Sequence, residues 1–236
     1  MKNEYFQFKQ FTIYQDLCAM KVGTDGVLLG CWCVLPEKGN ILDIGTGTGL
    51  IALMAAQRSC HTHVTGIDID GMAIKQARMN ADVSPWKQRL SFTQADAISY
   101  NAGTQYEAIV CNPPFFTNSL QGPDHRRNLA RHADSLPFAA LVSKATSLLS
   151  ENGFLSVILP AIQCDTFIQM CWEQGLNLHK KCFVYSNSRH PAKRVMLAFK
   201  KGNTIYPQEE KLYITNESGK QSAEYRTLTK DFYIDR

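Results

Sequence analysis

Apolar residues in this 236-residue chain fall into short blocks separated by polar turns, and the blocks switch between two periods. Short runs of strand length occur at Ile41 to Ile44, His63 to Ile67, Leu90 to Thr93, Tyr106 to Cys111, Gly153 to Pro160, Lys181 to Ser186 and Arg194 to Phe199. Between them lie stretches of helical period: Leu50 to Arg58, Gly71 to about Ala81, Pro137 to Leu149, and about Ile162 to Glu173. Ala73, Ile74, Ala77 and Ala81 share one face of the second of these, and Asp70 stands where an N-cap belongs. Strands alternating with helices predict an α/β fold, a mostly parallel seven-stranded sheet with helices on both faces. No repeat or linker interrupts the pattern, so residues 1–236 read as a single domain. Residues 203–236 are polar, and their aromatic residues Tyr213, Tyr225, Phe232 and Tyr233 suggest a hairpin and a packed tail.

The first strand runs into DIGTGTG (43–49) and then a helix. Gly45, Gly47 and Gly49 let the backbone come close to a ligand, and the following helix start supplies unpaired N–H groups. Dinucleotide folds use the same device as GxGxxG, but here Leu50 occupies the third glycine position and Gly49 comes one residue early. Asp43, just before the turn, would repel phosphates and attract a cation such as the sulfonium and amino group of S-adenosylmethionine. Asp68 ends the second strand, where a carboxylate accepts ribose hydroxyls. Asp96 follows the third strand, placed to accept from an adenine amino group. Each aspartate taken singly could equally be a strand-end cap. Three carboxylates at the C-terminal ends of successive strands mark the ligand edge of an open sheet.

The fourth strand ends in Cys111-Asn112-Pro113-Pro114-Phe115-Phe116. Asn-Pro starts a turn and Pro-Pro stops a strand. At this edge the turn also presents two acceptors, the Asn112 side-chain carbonyl and the Pro113 backbone carbonyl. Pro113 and Pro114 stiffen it by fixing φ, and the Phe115 ring can stack on a base. That set suits a planar amino group held beside a methyl donor, and it needs no metal.

Charge adds a possible partner. The net +4 is uneven: residues 1–175 carry 13 Lys/Arg against 15 Asp/Glu, and residues 176–236 carry 12 against 6. Lys180, Lys181, Arg189, Lys193 and Arg194 fall in a stretch without acids, and Arg126, Arg127 and Arg131 form a second basic knot. Such clusters attract phosphates, or serve only as solvated faces. The eight cysteines are scattered without a CxxC pair, which suits reduced, buried thiols in a cytoplasmic setting. His61 and His63 have no third ligand nearby and read as surface residues. No apolar run is long enough for a membrane span, and the start, MKNEYFQFKQF, has no apolar signal core.

The set DIGTGTG, GIDID, QAD and NPPF resembles the class I S-adenosylmethionine-dependent methyltransferases that act on planar amino nitrogens, with a Rossmann-like fold. DLCAMKVGTDGVLLGCW (16–32), followed closely by DIGTGTG, is similar to the family of bacterial tRNA1(Val) adenine-37 N6-methyltransferases over about residues 5–200. The resemblance implies a segment 1–40 that covers cofactor and substrate, a core over 41–202 and a tail over 203–236. It implies methyl transfer to adenine N6 beside a tRNA anticodon, with Lys21, Thr24 and Asp25 near the cofactor; a plain turn and helix start explains those three equally. The basic residues named above would then face the anticodon stem-loop. Guanine-N2 methylation of ribosomal RNA, glutamine-N5 methylation of protein, and a non-catalytic RNA-binding module are the competing readings.

Overall fold

A computed structural model describes residues 4–114, 137–203 and 206–234. Its centre is a sheet of eight strands: β3 (Lys38–Ile44), β4 (His61–Asp68), β5 (Leu90–Gln94), β6 (Tyr106–Cys111), β7 (Leu149–Pro160), β8 (Leu176–Tyr185), β9 (Arg194–Lys201) and β10 (Gln208–Tyr213). Their spatial order is β10-β8-β9-β7-β6-β3-β4-β5. Only β9 runs against its neighbours, β7 and β8. The central strands are apolar where both faces are covered, as in Ala108 to Cys111 of β6. In β6, Ala108 and Val110 face one core, while Ile109 and Cys111 face the other.

The first core is roofed by α1 (Thr24–Trp32), α2 (Leu50–Arg58) and α3 (Gly71–Asp82), the second by α4 (Phe138–Leu148) and α5 (Cys164–Glu173). Asp70 caps α3 as expected, its carboxylate accepting the Met72 N–H at 2.8 Å. α1 is buried from Gly26 to Trp32 and packs tightly on α2. A Cβ at Gly30 would stand 2.5 Å from the Met54 sulfur, so a larger residue there would force the Met54 side chain to move. Seven of the eight cysteines are buried and all are free thiols.

Two expectations are corrected at the chain's ends. The sheet has eight strands rather than seven, because the tail adds one. Instead of a hairpin, β10 lies parallel to β8, with Tyr213 stacked on Tyr185 at a centroid distance of 4.9 Å. The polar β10 forms on the sheet margin, where a strand needs one neighbour and can keep Glu209 and Glu210 exposed on its two opposite faces. The only hairpin-like feature of the tail, among the described residues, is a bridge between Thr215 and Gln221. The rest of the tail packs: α6 (Ala223–Thr229) buries Tyr225, and Phe232 joins the first core. At the other end, β1 (Tyr5–Gln7) and β2 (Thr12–Tyr14) form a small antiparallel pair that no periodicity announced.

Candidate active site

The C-terminal ends of β3, β4 and β6 bring Asp43, Asp68 and Asn112 to one edge. Register fixes this: Asp43 lies opposite Gly66 of β4 and Val110 of β6, and Ile44 opposite Cys111. Gly45, Gly47 and Gly49 all have φ between 55° and 81°, the left-handed region that the turn into α2 requires. Next to Gly45, a Cβ would meet nothing within 4 Å, so the turn is open on that side. Gly49 instead packs inward, where a Cβ would stand 3.2 Å from that of Ala77. Leu50, at the expected third glycine position, begins α2 and is buried.

Asp43 is 1% exposed. Its Oδ2 accepts the Thr46 hydroxyl at 2.6 Å, and its Oδ1 has no hydrogen-bond partner. Burial pushes the carboxyl up to about 7, opposed by the Thr46 hydroxyl and the Ala52 N–H. A buried carboxylate with an unpartnered oxygen, beside an open glycine turn, fits a cationic ligand group. Asp68 is better satisfied: Oδ2 accepts the Gly47 N–H at 2.9 Å and Oδ1 the Asp70 N–H at 3.0 Å. Burial raises its pKa as well, and those two N–H groups counter the shift. Its remaining lone pairs leave room for hydroxyl donors. Asp96 is exposed past the end of β5, and its Oδ1 accepts the Ile98 N–H at 2.9 Å.

Asn112 is half-buried, Pro113 buried and Pro114 exposed. Phe115, with Arg126, Arg127 and Arg131, lies outside the described residues. α1 approaches Asn112 directly, since a Cβ at Gly26 would be 3.9 Å from the Asn112 Nδ2. Lys21 and Thr24 are exposed at the approach to α1. Asp25, in the first turn of α1, accepts the Arg194 Nε–H on its Oδ2 at 2.8 Å, joining α1 to the start of β9.

Sequence reasoning missed the residues that pin the N-terminal segment over this edge. Gln76 and Asn80, one turn apart on α3, are fully buried. The Gln76 Oε1 accepts the Leu17 N–H at 2.8 Å. The Asn80 amide donates to the carbonyls of Tyr14 and Thr48, both at 2.9 Å, and so ties that segment to the glycine turn. Cys18 is thereby held 3.9 Å from where a Gly47 Cβ would be. The signal was available: two amides on the otherwise apolar face of Ala73, Ala77 and Ala81 need partners. Also missed were Ile69 and Ile98, exposed apolar side chains adjoining Asp68 and Asp96.

The basic residues divide. Lys180 pairs with Glu210 at 3.2 Å and sits over the Trp32 ring; Lys181 pairs with Glu209 at 2.7 Å. Both lie within β8, turned to the tail's carboxylates. Arg189 and Lys193 are exposed in the connection from β8 to β9. No group of metal-binding side chains occurs among the described residues, and no described helix is long and apolar enough to cross a membrane.

A parallel sheet carrying a glycine turn, strand-end carboxylates and an Asn-Pro-Pro turn on one edge defines a class I methyltransferase, dependent on S-adenosylmethionine. Residues 23–170 match the methyltransferase small domain family. The chain belongs to that family, and within it to the proteins named tRNA1(Val) (adenine(37)-N6)-methyltransferase. One such relative, from Phocaeicola vulgatus, is 46% identical over the whole of both chains. Another, from Vibrio vulnificus, is 39% identical over 99% of this chain and 97% of its own. Among solved structures, a predicted O-methyltransferase from Agrobacterium tumefaciens superposes with a TM-score of 0.69, covering 90% of this chain and 99% of that one at 16% identity. The glycopeptide N-methyltransferase MtfA complexed with sinefungin gives 0.53 over 70% of this chain and 81% of its own, at 10% identity. These two are similar in fold.

Proposed function

We propose that this chain methylates the exocyclic N6 of an adenine in tRNA, adenine 37 of tRNA1(Val). The observation that carries the chemistry is the register that brings Asn112 to the same sheet edge as Asp43, whose Oδ1 is unpartnered. Full-length identity to enzymes of that name supports the substrate.

S-adenosylmethionine, when bound, supplies a methyl group activated on a sulfonium. Asp43, the glycine turn and Asp68 are the residues suited to hold it, by charge, by close backbone approach and by spare acceptor capacity. Asp96, exposed past the third strand, has acceptor capacity for an amino group. An adenine amino nitrogen is a poor nucleophile because its lone pair is delocalised into the ring. The Asn112 carbonyl and the Pro113 carbonyl would each accept one of its N–H groups. That draws the nitrogen towards tetrahedral geometry and frees the lone pair. The nitrogen so held would take the methyl group, the sulfonium leaving as a neutral thioether, and the cationic product would give its extra proton to water. Gly26 lets α1 close against Asn112, and Phe115 would stack on the base. Positioning supplies much of the rate, and the base must leave its stack to reach the edge.

Labelled S-adenosylmethionine and tRNA lacking the modification provide the test. N6-methyladenosine confined to one isoacceptor is the expected product. Label found only in ribosomal RNA or protein would overturn the substrate and keep the chemistry.

A further inference from the structure

Resting on that reading, we infer that the RNA backbone is held by the connection 186–193, through Arg189 and Lys193 with Ile162 beside them, and not by Lys180 and Lys181. The sheet places this connection where it is needed. β8 runs parallel to the strands that carry the site, so its end at Tyr185 opens on the same edge as Asn112. β9 then starts at Arg194, paired in register with Pro160 at the end of β7. The connection therefore rises beside the site, not behind it.

Its charges are available. Arg189, His190 and Lys193 are exposed, and neither Arg189 nor Lys193 makes an ion pair among the described residues. Asp25, the carboxylate at the root of the connection, is engaged by Arg194. By contrast Glu209 and Glu210 engage Lys181 and Lys180 on the flank of the sheet. Those two lysines would have to give up existing partners to reach a phosphate.

Shape points the same way. The Asn187 Oδ1 accepts the Arg189 N–H at 3.0 Å and lies 2.7 Å from the His190 Nδ1, and Pro191 restricts the backbone further. The cations are thus presented on an ordered turn, at lower entropic cost than on a flexible arm. Ile162, 93% exposed, stands next to them, since the Ala161 N–H donates to the Lys193 carbonyl at 3.2 Å. Cations for phosphate beside a bare apolar side chain for a base face are the combination that single-stranded RNA requires. Arg194 links this surface to the chemistry, because its partner Asp25 precedes Gly26, the residue against Asn112.

The test compares the full-length protein with Arg189→Ala/Lys193→Ala, Ile162→Ala and Lys180→Ala/Lys181→Ala. Binding of an unmodified tRNA transcript is measured over a range of salt, with S-adenosylmethionine affinity read separately. In Arg189→Ala/Lys193→Ala the Kd for tRNA should rise about tenfold or more, and the slope of log Kd against log salt should fall by about 1 per lost phosphate contact. Cofactor affinity should not change. Ile162→Ala should weaken binding without altering the salt slope. An unchanged Kd and slope in Arg189→Ala/Lys193→Ala would overturn the inference. So would the same loss of slope in a folded Lys180→Ala/Lys181→Ala protein. Should the wild type methylate no tRNA yet show this binding pattern, the proposed substrate fails and the surface stands.

Discussion

Asn80 holds Tyr14 by both backbone groups: its Oδ1 accepts the Tyr14 N–H and its Nδ2 donates to the Tyr14 carbonyl, each at 2.9 Å. The same Nδ2 reaches the Thr48 carbonyl, so one side chain joins the N-terminal segment to the glycine turn. Asn80→Ala should leave three backbone groups without partners and cost about 2 kcal/mol. For a chain of this length that lowers Tm by roughly 4–8 °C. S-adenosylmethionine affinity should fall with it. Calorimetry on the variant checks the first effect and titration the second; an unshifted Tm would show that the contact contributes nothing.

Asn112→Ala removes an acceptor and leaves the glycine turn untouched. Turnover should drop by about 10²–10³, the scale seen when one preorganised polar group is removed from a transition state. Cofactor affinity should stay within about threefold, less than 1 kcal/mol. Single-turnover kinetics with saturating tRNA separate the two. Full turnover in this variant would exclude the amino-group mechanism.

The raised pKa of Asp43 makes a prediction with a defined sign. Its carboxyl titrates at about 7 when folded, against 3.8 ordinarily. Across that window the folded chain keeps a proton that the unfolded chain has released. The contribution to stability is complete below 3.8 and is lost as pH rises to about 7. Urea titrations of Asp43→Asn should show a flatter pH dependence between those limits. The ionised form suits a cationic ligand, so wild-type affinity for S-adenosylmethionine should climb with pH and level off near 7. Affinity that is flat over this range would refute the assignment.

Arg194 and Asp25 are both about one-third exposed, so their attraction is partly screened. A double-mutant cycle with Arg194→Ala and Asp25→Ala should give a coupling of about 0.5–1 kcal/mol. Because Asp25 precedes Gly26 on α1, either single variant should lower kcat for tRNA. A coupling of zero would mean that the two ends of this bridge act independently.

The core was legible because strands covered on both faces must be apolar along their buried length, as in Ala108 to Cys111. The α3 cap was legible because Asp70 has a local task. α1 was harder to read: GVLLGCW is buried all round and shows no helical period. β10 escaped for the opposite reason, being polar at a margin. Asp43, Asp68 and Asn112 could be grouped since strand order alone takes them to one edge. The pairing of Asp25 with Arg194, and of Lys180 with Glu210, could not be read from local pattern. Each depends on contacts between segments far apart in the chain.

β10 has one more effect. A sheet margin with unpaired N–H and C=O groups is a template on which another chain can grow. Here the outermost strand is short, and Glu209, Glu210 and Lys211 stand exposed along it. Such a strand is a poor seed for further pairing. Without it, the last strand would be β8, whose LNLHKKCFVY run is longer and richer in β-forming residues. The polar tail thus protects the protein from self-association through its own sheet, and shortening the chain before residue 206 would be paid for in solubility.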